Sequence, residues 1–171
     1  QKFFKKNNEA EIKTEKVITQ EEENNYNSNI IKDVKYVSKD TKGNEYIIEA
    51  EQGEIDYSDP NIIFLKNVNA LIKLNTSEIV KITSKFGKYN LNNYDTVFSK
   101  NVKIDYLDNK IEGEYLDFSL ERNSMIISKD VTYNNLENVL KADVIEINIE
   151  TKDTKIFMHE HTKKVKIKSK N

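Results

Sequence analysis

Two short apolar segments alternate along the sequence, and each keeps an internal spacing that departs from a plain strand pattern. The first segment centres on a small residue, and its four copies carry Ala50, Ser84, Gly113 and Ala142. The second runs Lys-Asn-Val or Lys-Asp-Val, and its three clearest copies end at Val68, Val102 and Val131. In three successive copies the valine follows the small residue by 18 positions. Matched residues at a fixed separation predict a chain built from one recurring structural unit.

The spacing inside each segment predicts what that unit is. In the first copy the inward positions are Ile48, Ala50, Gly53 and Ile55, so steps of two are interrupted by one step of three. Alternation by two is typical of a strand with one buried face. One extra residue within such a strand is a β-bulge, which bends the strand and restores the same face. Since the step recurs at one place in every unit, we expect the bends to line up as a corner. The sequence predicts an all-β fold, a folded antiparallel meander of the β-jellyroll or β-taco type.

Turn signals separate the units and set the predicted extent of the domain. Asp, Asn, Gly and Pro cluster between the apolar segments, for example at 40–44 and 58–61. We count about ten strands and no helix in the repeat, and we expect the domain to span residues 30–169. Residues 1–29 are polar after an aromatic and basic start, and we interpret them as a linker.

Composition excludes several function classes. The chain has 27 basic and 29 acidic residues, and Arg122 is its single arginine. Because base-edge readout depends on arginine forks, a nucleic-acid partner is not expected. Without cysteine, the chain has no disulfide framework, no thiolate metal site and no cysteine nucleophile. No apolar run approaches the 18 residues that a membrane-spanning helix needs.

Catalytic and metal chemistry find little support in the sequence. His159 and His161 would share one face of a strand, but no third ligand is evident, so an exposed polar strand end is favoured over a metal site. Acidic residues such as Glu49 and Asp117 fall on the outward positions, which is typical of a solvated face. We therefore predict no enzyme activity, no metal and no cofactor.

The inward apolar positions are the candidate binding residues. If the two faces of the fold close tightly, these side chains form an ordinary sandwich core. If the faces part on one side, the interior is an apolar groove, and each acyl CH₂ placed in it gains about 0.8 kcal/mol. The predicted groove residues are Ile48, Ala50, Ile55, Tyr57, Leu65, Val68, Ile72, Ile82, Ser84, Tyr89, Leu91, Val102, Ile104, Leu116, Phe118, Ile126, Val131, Ile145 and Ile147.

From Val34 to Val68 the chain reads Val-x-Tyr-x-Ser, then Gly, then Ile-x-Ala-x-x-Gly-x-Ile-x-Tyr, and finally Ile-Phe-Leu-x-Asn-Val. In the order and spacing of these residues the chain resembles the LptC family. Segments starting at Ile82 and Ile111 continue the resemblance, and in all it covers about residues 30–167. The resemblance implies a β-jellyroll on the periplasmic side of the inner membrane, held by one N-terminal helix that this sequence does not contain. It also implies that lipopolysaccharide is accepted from an inner-membrane ABC transporter and passed to an LptA-like bridge protein.

In this family the proteins join end to end through their edge strands. By that analogy we expect the transporter at the N-terminal edge, at Val34, Tyr36 and Ser38. We expect the bridge protein at the C-terminal edge, at Phe157, Val165 and Ile167. Lysines alternate with apolar residues near this second edge, which fits either a protected edge strand or a rim that contacts a partner.

Two further readings remain open from the sequence. The alternative within the same pathway is an LptA-like soluble bridge protein, which a cleaved signal peptide before Gln1 would favour, whereas an uncleaved helix there would favour the LptC-like subunit. From another class, a structural or adhesion β-repeat domain would have the same pattern with a sealed core and no ligand.

Overall fold

The computed structural model describes residues 29–158 and 164–170, and all regular structure in this part of the chain is β-strand. In these two ranges no helix is long and apolar enough to cross a membrane. Residues 1–28 of the predicted linker, together with His159 and His161, lie outside the described residues. The ten strands are β1 (Ile30–Lys39), β2 (Glu45–Ile55), β3 (Ile62–Lys73), β4 (Ile79–Asn90), β5 (Thr96–Tyr106), β6 (Asn109–Ser119), β7 (Ser124–Asn134), β8 (Asn138–Asn148), β9 (Thr154–Phe157) and β10 (Lys166–Ser169).

The strands form one antiparallel sheet in chain order from β1 to β8. The last unit of the repeat is split in two, because β9 and β10 both pair with β8, at Val144–Ile147 and at Asn138–Lys141 respectively. The all-β meander of about ten strands is thus confirmed.

A line of bulges crosses the middle of the sheet and confirms the predicted corner. The register shifts between β4 and β5 and at each following pair up to β7 and β8. The Asn or Asp that precedes each valine of the second segment lies in the left-handed region, with φ between 51° and 54°. Asn and Asp tolerate this region best after glycine, so the residue before each valine marks the bend. These four residues are Asp33, Asn67, Asn101 and Asp130.

The small residues of the repeat face the valines across the corner. A valine pairs with a small residue in each of five cross-strand pairs, which are Val34–Ala50, Ala50–Val68, Val68–Ser84, Val102–Gly113 and Val131–Ala142. Because side chains converge on the inside of a bend, a large residue needs a small one opposite. Of the three spacings of 18 residues, the one from Ala50 to Val68 is such a pair, whereas Ser84 with Val102 and Gly113 with Val131 fall at the register shifts of β4–β5 and β6–β7.

The corner divides the sheet into two layers. The first layer ends in the β1–β2, β3–β4, β5–β6 and β7–β8 turns, and the second layer ends in the β2–β3, β4–β5, β6–β7 and β8–β9 turns. Ring contacts join the layers: the centroids of Tyr36 and Tyr89 are 5.1 Å apart, and those of Tyr46 and Phe118 are 6.2 Å apart. Tyr36 and Tyr89 lie on β1 and β4, and the cross-strand row of Tyr36 reaches β4 at Ile82, seven residues from Tyr89. A flat sheet would therefore hold the two tyrosines about 27 Å apart. The core therefore lies between the two folded layers.

Candidate functional site: the interior between the layers

Apolar side chains line the inside of both layers from one side of the sheet to the other. In the first layer one row of successive cross-strand partners is Tyr36, Ile48, Ala70, Ile82, Ile104, Ile111, Tyr133 and Leu140. In the second layer a row runs Gly53, Leu65, Gly87, Phe98, Leu116, Ile127 and Ile145. The interior is therefore an uninterrupted apolar band across the fold.

Most of the predicted groove residues lie on this band. Thirteen of them belong to the buried core cluster: Ile48, Ala50, Leu65, Val68, Ile72, Ile82, Tyr89, Val102, Ile104, Leu116, Phe118, Val131 and Ile145. Ser84 is also buried, and Leu91 and Ile147 are half-buried against the cluster. Ile55 is half-buried at the end of β2, opposite Ile63.

Two predicted groove residues do not point inward. Tyr57 follows the last residue of β2 and is 78% exposed, because the chain has already entered the β2–β3 turn. Ile126 pairs with Asp117 and Glu146 and so shares their outward face. Its neighbours Met125 and Ile127 are the buried residues of this strand. The predicted inward orientation is wrong for Tyr57 and Ile126.

The interior is filled where the layers touch. The void between them measures about 20 Å³ and is lined by aromatic residues that include Tyr36, Tyr46, Tyr89, Phe98 and Phe118. A space of this size holds about one water molecule. Any ligand larger than water consequently needs the two layers to move apart before it can enter.

A much larger cleft lies at the open side of the fold, which we call the mouth. It has a volume of about 800 Å³ and is bounded by the β1–β2 and β3–β4 turns of the first layer and the β4–β5, β6–β7 and β8–β9 turns of the second. Lys42 Nζ of the first layer lies 2.5 Å from Glu150 Oε1 of the second, and both side chains are about half exposed. This ion pair spans the mouth.

Asp40 fixes the aromatic contact that lies just inside the mouth. Its carboxylate accepts hydrogen bonds from Tyr46 Oη at 2.9 Å, from Asn44 Nδ2 at 2.7 Å and from the backbone N–H groups of Lys42 and Asn44 at 2.9 Å. Partial burial raises the pKa of Asp40, but the hydrogen bonds from Asn44, Tyr46 and Lys42 outweigh it and hold this pKa below its usual value. Burial and the bond to Asp40 raise the pKa of Tyr46. Tyr46 is thereby held, neutral, against Phe118.

Burial also keeps the other pair of stacked rings uncharged. Burial raises the pKa of Tyr36, and burial followed by the neighbouring tyrosines raises that of Tyr89. In both cases a phenolate would lose its hydration between the layers. The contact between these rings is therefore an apolar one throughout the physiological pH range.

The predicted partner residues lie at the two sides of the sheet. Val34, Tyr36 and Ser38 are in β1, the first strand, and their side chains are buried on the inner face. The outer main chain of β1 has no paired strand among the described residues. At the other side Phe157 and Ile167 are exposed on β9 and β10, and Val165 packs partly on the core.

The residues that the structure describes contain no cluster of three or more His, Asp or Glu side chains able to hold a metal ion. Their strongest electrostatic features are ion pairs on the outer face and in the turns. The interior between the layers is the feature that combines an apolar lining with an opening, and it is the candidate binding site.

Several residues of this site were missed by the sequence reasoning. Phe98 and Thr96 of β5 are fully buried between the layers, and Tyr46 lines both the void and the mouth. The signal for Phe98 was present, since it belongs to the Val-Phe-Ser-Lys-Asn-Val segment. Tyr46 precedes Ile48 by two residues, so the strand alternation also placed it inward, but its contact with Phe118 depends on how closely the two layers approach.

Comparison with known families identifies the fold. The model of a family described as lipopolysaccharide-assembly, LptC-related, matches residues 7–137, more than half of the 171 residues. The chain belongs to the LptC family. No curated protein matches the chain.

Membership of the LptC family gives the chain a role in lipopolysaccharide transport, in a non-enzymatic component that faces the periplasm within the inner-membrane transport system. It also implies interaction with lipopolysaccharide and with other components of that pathway. The LptC match begins within the predicted linker and ends before β8, so the strands after β7 lie beyond it.

Proposed function

We propose that the chain carries lipopolysaccharide acyl chains between its two layers, from an inner-membrane transporter at the β1 edge to a bridge protein at the β8 side. The observation that supports this proposal is the continuous apolar band, which crosses the fold from β1 to β8 without a charged inward residue. By strand addition, the free main chain of β1 can bind an extended segment of a partner. The apolar band of this chain would then be continuous with that of the partner bound at β1.

Entry of lipid requires opening at the mouth, where each specific contact between the layers is weak. Beyond the apolar area that they bury, which the acyl chains would cover again, the two ring contacts contribute about 0.5–1.5 kcal/mol each. The pair of Lys42 and Glu150 is half exposed and contributes about 0–1 kcal/mol. Ten methylene groups transferred from water to the interior contribute about 8 kcal/mol. Lipid burial can therefore offset the separation of the layers at the mouth.

Photo-crosslinking in cells tests where the lipid lies. A photo-reactive residue placed at inward positions is expected to crosslink lipopolysaccharide, and suitable positions are Ile48, Ile82, Tyr89, Ile104 and Phe118. Glu49 and Lys103 are matched controls, because each neighbours one of these residues in the same strand but lies on the outer face. Crosslinks confined to the outer positions would contradict the proposal and favour a sealed structural domain.

A tether across the mouth tests whether opening is required. Since the chain has no cysteine, Lys42→Cys and Glu150→Cys can be joined selectively by a short bismaleimide. We expect crosslinking of lipid at Ile104 to fall at least tenfold in the tethered protein. In the control, Lys42→Cys is joined to Asn75→Cys, which lies beside it in the first layer. Equal lipid crosslinking in the two tethered proteins would overturn the opening step.

A further inference from the structure

Three aromatic side chains are exposed on the outer face of the second layer, away from the interior. Phe64, Phe86 and Tyr115 are 43%, 40% and 37% exposed. Phe64 and Phe86 lie on neighbouring strands, and Ser99 separates Phe86 from Tyr115 in one row of cross-strand partners. Strand spacing therefore places Phe86 and Tyr115 about 10 Å apart. The three rings form one patch across β3 to β6.

A lysine lies near each of these rings. Lys88 Nζ is 6.0 Å from the centroid of Phe64, and Lys85 Nζ is 5.4 Å from that of Phe86. The third such contact joins Lys129 Nζ and Tyr115, at 5.8 Å. Each distance is within the range of a cation–π contact, which leaves the ammonium group accessible to water and to an anion.

These lysines lack the acidic partners that lysines have on the first layer. There the outward lysines pair across the strands with carboxylates, as in Lys35–Glu49, Lys73–Glu45, Lys103–Glu112 and Lys110–Asp105. Within the described residues Lys66, Lys85, Lys88 and Lys129 form no ion pair.

The acids near the patch leave its positive charge in place. Asp117 is held by Arg122 at 2.9 Å, and Glu114 lies 3.8 Å from Lys100. At the margin Glu54 pairs with Phe64 from β2, and Asp56 in the β2–β3 turn attracts Lys88. Three lysines, Lys66, Lys85 and Lys88, thus face these two carboxylates on the outer side of β3 and β4, which leaves positive charge beside the exposed rings.

We propose that this outer face binds the surface of an anionic phospholipid bilayer. Aromatic rings partition to the headgroup level of a bilayer, and lysines near it are attracted by anionic lipids. Protein interfaces, by contrast, are depleted in lysine and favour arginine. The residues of this surface, the aromatic–lysine face, are Phe64, Lys66, Lys85, Phe86, Lys88, Tyr115 and Lys129.

Such binding would orient the molecule, since the aromatic–lysine face lies on the opposite side of the second layer from the apolar interior. The chain would rest on the membrane through the second layer while the interior stays clear of phospholipid. The proposal is independent of whether lipopolysaccharide enters between the layers.

Vesicle co-sedimentation of the full 171-residue chain tests the proposal. We expect binding to vesicles of phosphatidylglycerol and phosphatidylethanolamine at low salt, weaker binding at 0.5 M salt, and little binding to phosphatidylcholine. The triple variant Lys85→Gln, Lys88→Gln and Lys129→Gln is expected to bind about 100-fold more weakly, since each lysine contributes about fivefold. A second variant, with Phe64, Phe86 and Tyr115 each changed to Ser, is expected to lose about tenfold or more.

The matched control removes the same charge from the outer face of the first layer, by changing Lys81, Lys103 and Lys110 to Gln. Residues 1–28 are the same in every protein, so differences between variants report on the face alone. Equal weakening by the two lysine variants, or no preference for anionic vesicles, would overturn the proposal. If the triple lysine variant still crosslinks lipopolysaccharide at Ile104 as the unmodified chain does, membrane binding by this face is independent of lipid entry between the layers.

Discussion

Gly113 of β6 lies against Ile127 of β7 so closely that a side chain has no space between them. A Cβ atom built on Gly113 would lie 2.9 Å from Ile127 Cγ2 and 3.4 Å from the carbonyl oxygen of Ser128. Ile127 is fully buried, so its methyl group has nowhere to move. Gly113 occupies the small position of the repeat that Ala50 and Ser84 fill elsewhere.

We predict that Gly113→Ala destabilises the fold by about 1–3 kcal/mol, the usual cost of overpacking a core. Chemical denaturation measures this as a lower midpoint. Gly53→Ala is the matched control, because its Cβ would lie 3.1 Å from a methyl group of Val34 on the edge strand. That neighbour has to give by only a few tenths of an ångström, and the gain in strand stability over glycine offsets part of the cost. A loss at Gly53 as large as that at Gly113 would contradict this explanation.

The same region shows why the sequence predicted the corner but not every inward residue. In β3 one residue of the bulge, Asn67, has positive φ, whereas β7 has two, Lys129 and Asp130. The second residue shifts the alternation by one position, so Ile127 rather than Ile126 faces the core. Nothing in the Lys-Asn-Val and Lys-Asp-Val segments distinguishes a bulge of one left-handed residue from one of two.

The distance between the two layers could not be predicted from the sequence either. Strand alternation fixes which side chains point inward, and most of the predicted groove residues do so. The distance between the layers depends on contacts between residues far apart in the chain, such as Tyr46 with Phe118 and Lys42 with Glu150. Such contacts leave no periodic pattern in the sequence. The sequence therefore could not distinguish a filled core from an open groove.

Backbone conformation at the corner gives a second prediction. Asn101 has φ of 53°, a region in which β-branched residues are strained. We expect Asn101→Val to destabilise the fold by about 1–2 kcal/mol, and Asn101→Gly to leave stability unchanged or raise it. Lys103→Val, two residues further in the same strand, is the control. Chemical denaturation measures both variants. If Asn101→Val lowers the midpoint no more than Lys103→Val does, the positive φ at the bulge is not the cause of the loss.

Asp40 gives a prediction for acid stability. Its pKa in the folded protein is below its usual value, so its carboxylate adds stability that is complete above the unfolded pKa of about 3.9. That stability is lost as the pH falls through the lower pKa of the folded state. We expect Asp40→Asn to lower stability at pH 7 by about 1–2 kcal/mol, and to flatten the fall in stability as the pH drops below about 4.

Thermal unfolding as a function of pH measures this effect. Asp108→Asn is a matched control in the β5–β6 turn, since the Asp108 side chain accepts no hydrogen bond from the described residues. Because Asp40 also holds Tyr46 against Phe118, Asp40→Asn is expected to loosen the contact between these two rings at the mouth. If the pH profile of Asp40→Asn matched that of Asp108→Asn, the hydrogen bonds to Asp40 would not be what stabilises the turn.

The far side of the sheet gives the last prediction. β8 is 11 residues long, but its outer main chain is covered by two strands of only four residues, β9 and β10, whose side chains are exposed. A long unpaired strand readily adds another chain. We therefore expect a protein that ends at residue 152 to self-associate through β8, as measured by light scattering and size-exclusion chromatography.

The matching control keeps the strands and removes only charge, by changing Lys166, Lys168 and Lys170 to Gln. If main-chain pairing by β9 and β10 blocks association, this variant stays monomeric while the truncated protein does not. If the truncated protein and the lysine variant both self-associate, the lysines rather than main-chain pairing protect β8. A truncated protein that is monomeric, with an unchanged β-sheet circular dichroism spectrum, would contradict the idea that β9 and β10 protect β8. The comparison also bears on transport, because a partner that adds to β8 must first displace these two short strands.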